Sequence, residues 1–170
     1  MIGATRTKAM VTAAAVGVAL AAVVVIRTQF LDTASVSSDS MAPTVCTGDT
    51  VLLARLHGGE TKAVAVGDIV TFPSPQDGAP TIKRVVAVGG QRVAIRDAEL
   101  VVDEQVVDEP YVDHASIDGV YFGPVTVPVG SVFVMGDHRE TSIDSRAYGP
   151  IRTADIEGRL LLPIGPTCQG

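Results

Sequence analysis

The sequence predicts a mainly β domain, a sandwich or partly open barrel, preceded by one N-terminal transmembrane helix. Three observations carry this. An uncharged Ala- and Val-rich run fills residues 9–26. Beyond it, short apolar runs recur between Gly- and Pro-containing turns. No other stretch is both long enough and regular enough to read as a helix.

The run at 9–26 has 18 residues. At about 1.5 Å per residue a helix of that length spans roughly 27 Å, close to the hydrocarbon core of a bilayer. Arg6 and Lys8 flank one end and Arg27 the other. That excess predicts a cytoplasmic N-terminus over residues 1–8, a span at 9–26 and an extracytoplasmic β-rich domain over 27–170, in a single-pass protein of the cell membrane. A cleaved export signal is the alternative, with Ala19-Leu20-Ala21 as the cleavage site. It fits less well, because apolar residues continue through Val23, Val24, Val25 and Ile26.

The first strand, 51–56, follows the turn signal Gly48-Asp49, and the second, 69–72, follows Gly67-Asp68. Pro80 opens a third over 81–88, which Gly89-Gly90 closes. Shorter runs at 93–95, 100–102, 106–107, 125–127, 132–135 and 160–162 complete the set, with surface loops at 57–66 and 74–79. With a period of two, Thr81, Lys83, Val85 and Ala87 share one face of the third strand, and Ile82, Arg84, Val86 and Val88 the other.

Lys83 is the pointed residue in that pattern. The chain has ten Arg and only three Lys, so a lysine among apolar neighbours is not routine composition. Such a lysine either snorkels to an edge or is held dry, and drying disfavours its charge. A dry lysine is a candidate general base, and Ser40, in Ser38-Asp39-Ser40-Met41-Ala42-Pro43-Thr44, is a candidate nucleophile for it. Taken alone, Ser40 would read as a turn or cap serine.

Net charge is unevenly placed. Residues 31–170 hold ten basic and nineteen acidic residues, a balance of −9. An acidic domain excludes nucleic acid as the expected partner, since phosphate contacts need a basic face. His57, His114 and His138 raise a Ser-His-Asp reading, but no Gly-x-Ser-x-Gly elbow is present and the histidines lie in polar, loop-like stretches. No His, Cys or carboxylate spacing matches a zinc or calcium motif, so neither metal nor cofactor is expected. Cys46 and Cys168 are the only cysteines, and spacing leaves open a disulfide or two free thiols.

Three blocks, in order, resemble the bacterial type I signal peptidases, the signal peptidase S26 family. The first is 38–44, the second Ile82-Lys83-Arg84-Val85-Val86-Ala87, and the third runs from Gly136-Asp137-His138-Arg139 through Ser142-Ile143-Asp144-Ser145-Arg146 to Gly149. The resemblance implies a signal-peptidase-like coiled sheet or partly open barrel. It also implies a membrane-bound serine endopeptidase that removes signal peptides from exported preproteins, cutting after small residues. Ser40 matches the nucleophile and Lys83 the base. Ser38 matches an oxyanion donor, Ser142 a serine that orients the lysine amine, and Asp144 and Arg146 a supporting pair. Val36, Met41 and Ile82 match the shallow substrate pockets. The implied partners are signal peptides and the lipid bilayer. Two departures stand out. His138 replaces the usual asparagine, in a chain with no asparagine at all, and only 45 residues separate Gly90 from Gly136, which marks a compact form. A dedicated maturation protease of the same family, or a membrane-anchored β-domain without catalysis, are the competing readings. Self-cleaving Ser-Lys repressors share the dyad, but here a membrane run stands in place of a DNA-binding domain.

Overall fold

The computed structural model describes residues 14–24, 27, 29–56, 64–113, 121–165 and 168. Residues 14–24 form an exposed helix, α1. The expected span at 9–26 therefore lies partly outside the described residues. Among those described, no helix is long and apolar enough to cross a membrane. The expected loop at 57–66 also falls largely outside them.

Eleven strands form two antiparallel sheets among the described residues. They are β1 (Leu31–Ser35), β2 (Thr50–Arg55), β3 (Ile69–Pro73), β4 (Pro80–Val88), β5 (Arg92–Arg96), β6 (Glu99–Val102), β7 (Gln105–Val106), β8 (Phe122–Thr126), β9 (Ser131–Met135), β10 (Ile151–Arg152) and β11 (Gly158–Ile164). A short helix, α2 (Ser145–Tyr148), and a 3-10 turn at Thr153–Asp155 follow β9. The larger sheet runs β1-β2-β11-β3-β4-β9-β10, and the smaller β7-β6-β5-β8. Strands β1 and β10 are unjoined edges, so the larger sheet is open and no barrel closes among the described residues.

The expected β domain is thus present, and β1 and β10 add to it. Neither was legible. Leu31-Asp32-Thr33-Ala34-Ser35 has no apolar alternation and is mostly exposed, so pairing to β2 defines it rather than burial. One face assignment is corrected. The alternation of β4 holds through Val85, which packs with Val70, Phe72 and Val134. A register shift between Val85 and Ala87 then turns Ala87 to the opposite cluster, with Val86, Phe133 and Met135. A bulge inserts one residue and flips every side chain beyond it.

Three apolar clusters hold the fold. One joins β4 and β9 to the small sheet, a second lies around Val70, Phe72 and Val134, and the third gathers Val36, Met41, Val45, Val51, Leu53 and Ile69. The third cluster seats the 38–45 segment. Met41 and Val45 are fully buried on either side of Pro43, and Val45 N–H donates to the Met41 carbonyl at 2.9 Å. At the far end of that segment Cys46 is disulfide-bonded to Cys168, with Cα atoms 5.6 Å apart.

Candidate active site

The larger sheet brings the three blocks together. β4 lies between β3 and β9, so Lys83 at its centre neighbours the Gly136 turn that leaves β9. The apolar cluster around Met41 docks the 38–45 segment over the same point. Ser40 and Lys83 are 7% and 4% exposed, and Lys83 Nζ lies 2.7 Å from Ser40 Oγ. Lys83 does not snorkel: its other hydrogen bond goes to the carbonyl of Ile82 at 2.9 Å. Burial pushes the Lys83 ammonium below the ordinary lysine value, against the opposing pull of the Asp144 and Asp137 charges.

Ser38 is exposed, and its hydroxyl lies 3.3 Å from Ser40 Oγ. Asp144 is fully buried and caps α2, its carboxylate accepting the Arg146 backbone N–H. It also accepts the Gly136 N–H at 3.1 Å and both Nε and Nη2 of Arg146 at 2.8 Å. Arg146 in turn donates to the carbonyls of Arg139 and Ser142. The pair therefore fixes the turn that carries Ser142. Ser142 Oγ itself is buried and has no hydrogen-bond partner among the described residues. The bond to Lys83 that the family resemblance implies is thus not formed, and the Ile82 carbonyl takes that place on the amine.

Gly136 separates Ser142 from Ser40. A methyl group there would collide with Ser142 and with the Ser40 carbonyl oxygen, so only glycine permits this approach. The same carbonyl accepts the His138 N–H at 3.2 Å, which gives His138 a backbone role that any residue except proline could supply.

A cavity of about 320 Å³ opens beside the dyad. Ser38, Ser40 and Lys83 line it, with Val36 and Ile82 among the apolar walls. Met41, the third expected pocket residue, does not line it and packs fully buried in the cluster that supports Val36 and Ile82. Sequence reading missed further lining residues, among them Thr71, Ser74, Gln76, Asp77 and Tyr148. It also missed the buried clamp in which Asp137 accepts from Thr44 Oγ1 at 2.5 Å and from Arg84 at 2.7 and 2.8 Å. The one available signal was Arg84 itself, a second charge beside Lys83 on a largely apolar strand, and a guanidinium there needs a carboxylate partner. Among the described residues no group of His, Cys, Asp and Glu is arranged to hold a metal ion.

Residues 9–164 match the family described as signal peptidase, peptidase S26. The chain belongs to that family. It is 32% identical over 154 residues to thylakoidal processing peptidase 1 of Arabidopsis thaliana, a match covering 84% of this chain and 44% of the relative. It is 33% identical over 138 residues to the mitochondrial ATP-independent inner membrane protease subunit 1a of the same plant, covering 80% and 71%. The crystal structure of a signal peptidase I from Enterococcus faecalis V583 aligns with a TM-score of 0.52 at 31% identity, covering 57% of this chain and 96% of that one. The chain thus spans less than half the length of the thylakoidal relative.

Proposed function

We propose that this protein is a membrane-anchored serine endopeptidase that removes signal peptides from exported preproteins, with Ser40 as nucleophile and Lys83 as general base. The observation that carries the reading is the buried 2.7 Å contact between Lys83 Nζ and Ser40 Oγ. A neutral amine at that distance accepts the Ser40 proton as Oγ attacks the scissile carbonyl. The resulting ammonium then delivers its proton to the leaving amine. The Ser38 hydroxyl, beside Oγ, and the Ser40 N–H are the donors for the oxyanion. Water, activated by the same amine, then frees the acyl-enzyme. Val36 and Ile82 are apolar walls of the cavity beside the dyad, where the family resemblance places shallow pockets for small side chains before the cut.

The apolar run at 9–26 supports a membrane anchor, with the N-terminus inside and Ser40 on the outer side. Ser40 follows the run by 14 residues. At no more than about 3.6 Å per residue, that tether holds the nucleophile within roughly 50 Å of the bilayer. A substrate whose own apolar helix sits in that bilayer is thereby concentrated at the site.

The test is cleavage of a preprotein by detergent-solubilised full chain, with the cut mapped by mass spectrometry. Ser40→Ala abolishes cleavage. Lys83→Arg lowers it by about 10²–10⁴-fold, because guanidinium stays protonated. Near-normal turnover by Lys83→Arg would sink the lysine-base mechanism.

A further inference from the structure

The segment 107–113 returns from the small sheet and lies outside the three blocks that carry the family resemblance. Its Glu109 is 2% exposed. Glu109 Oε1 accepts Arg139 Nη2 at 2.5 Å and the Tyr111 hydroxyl at 3.0 Å, while Oε2 has no partner among the described residues. The Tyr111 ring covers the Arg84 guanidinium, 3.9 Å from centroid to carbon. Burial, and then the Glu109 charge, push the Tyr111 hydroxyl up, so it stays a donor.

Each arginine held in this way reaches the dyad by one further step. Arg84 adjoins Lys83 on β4, and its other donors go to Asp137, to Thr44 and to the Gly67 carbonyl. Thr44 lies on the segment that carries Ser40. Arg139 Nε donates to the Gly136 carbonyl at 3.0 Å, and Gly136 is the residue wedged between Ser40 and Ser142. Neither Glu109 nor Tyr111 lines the cavity beside Ser40.

Resting on the proposed function, we infer that Glu109 and Tyr111 are positioning residues: they lock Arg139 and Arg84 from behind, and so set the separation of Ser40 and Lys83 and keep Lys83 dry. A charged pair alone would not do this. Arg84 already has Asp137, and the ring of Tyr111 adds a face that excludes water from the guanidinium and pins its plane. Arg139 is 4% exposed and among the described residues meets one carboxylate, Glu109, so loss of that partner leaves a buried charge uncompensated.

The test uses the full-length protein with Glu109→Gln, Tyr111→Phe and Tyr111→Ala. For Tyr111→Ala and Glu109→Gln, kcat on a preprotein falls about tenfold or more while KM stays within about twofold, since the cavity is untouched. The rising limb of the pH profile moves to higher pH, because burial is what lowers Lys83 and water now reaches it. Tyr111→Phe keeps the ring and recovers most of the rate, and it remains informative if Glu109→Gln fails to fold. A second readout needs no substrate. The rate of reductive methylation of Lys83, mapped by mass spectrometry against the urea-unfolded chain, rises about tenfold in Tyr111→Ala as the amine gains water. Variants that lose thermal stability but keep kcat, pH limb and Lys83 protection overturn the inference, since a purely structural role predicts that pattern. If the native protein cleaves no preprotein, the proposed function falls, and the methylation rates still decide for or against the positioning role.

Discussion

Gly136→Ala isolates the geometry of the site from its chemistry. The position is not in the left-handed region, so alanine adds no backbone strain. The added Cβ would sit 2.5 Å from Ser142 Cβ and closer still to Ser142 Oγ and the Ser40 carbonyl oxygen. Carbon atoms pack at about 3.5–4.0 Å, so one or both neighbours must retreat by about 1 Å. Ser142 could turn its hydroxyl away, but the Ser40 contact is backbone and no rotamer change relieves it. A shift of about 1 Å would carry Ser40 Oγ out of hydrogen-bond reach of Lys83, where it now sits at 2.7 Å. Misplacement on that scale costs about 10²-fold in rate. Overpacking adds about 1–3 kcal/mol of destabilisation, which leaves the domain folded at low temperature. The assay is kcat/KM on a preprotein at 20 °C, beside a melting curve. Wild-type kcat/KM in a variant with an intact melt would refute the wedge, and with it the claim that this glycine spaces the nucleophile.

The lysine predicts a trade between activity and stability. Its folded-state pKa lies below its unfolded one, so between those values the unfolded chain binds more protons and stability rises with pH. Lys83→Met therefore raises Tm at neutral pH while abolishing cleavage, and the gain shrinks as pH climbs toward the ordinary lysine range; a Tm that falls at neutral pH would contradict this. Wild-type activity rises with pH through the same lowered ionisation, so a profile fully active at pH 5 and flat above it points away from Lys83 as base. The proposed topology predicts that protease added outside spheroplasts cleaves near 97–107 while a tag before Met1 stays protected, and that the mature N-terminus precedes Val23. A soluble protein starting at or after Val23 would mean that residues 9–26 are a cleaved signal.

What the sequence carried was local periodicity and local chemistry. Nine of the strands overlap apolar runs bounded by turn residues, and six of them, β2 to β6 and β9, bury one face or both, while β7 is exposed and β8 and β11 bury little. Lys83 was legible for the same reason, as a charge inside such a run. Strand β8 was placed too late, at 125–127 instead of Phe122–Thr126. Its Gly123-Pro124 reads as a chain break, yet the glycine sits at a bulge with its backbone against Val93, where a Cβ would lie 2.7 Å from the Val93 carbonyl. The clamp was out of reach for a different reason. Thr44 and Asp137 are 93 residues apart, and Glu109 and Arg139 are 30 apart. No periodicity encodes such pairs; they follow only from strand order. The 38–44 segment itself offers no strand or helix pattern, and its position rests on Met41 and Val45 finding the cluster beneath β2 and β3.

The clamp also accounts for the choice of cation around the dyad. In the proposed mechanism Lys83 must shed its proton, yet two carboxylates near it, Asp144 and Asp137, favour the charged form. Each is engaged by an arginine, Arg146 on one and Arg84 on the other, both at bidentate geometry. Arginine can neutralise a carboxylate in this setting without itself becoming a base, because its guanidinium does not deprotonate. A lysine in either place would compete for the same proton and present one point charge where two oxygens need partners. The carboxylates are in turn required, since Asp144 caps α2 and holds the Gly136 N–H, and Asp137 ties Thr44 to β4. A buried site that needs fixed anions for its frame and a neutral amine for its chemistry is therefore built from arginine–carboxylate pairs around a single lysine. That requirement gives a physical reason for Lys83 to be the one lysine at this site among the described residues, in a chain of ten arginines and three lysines.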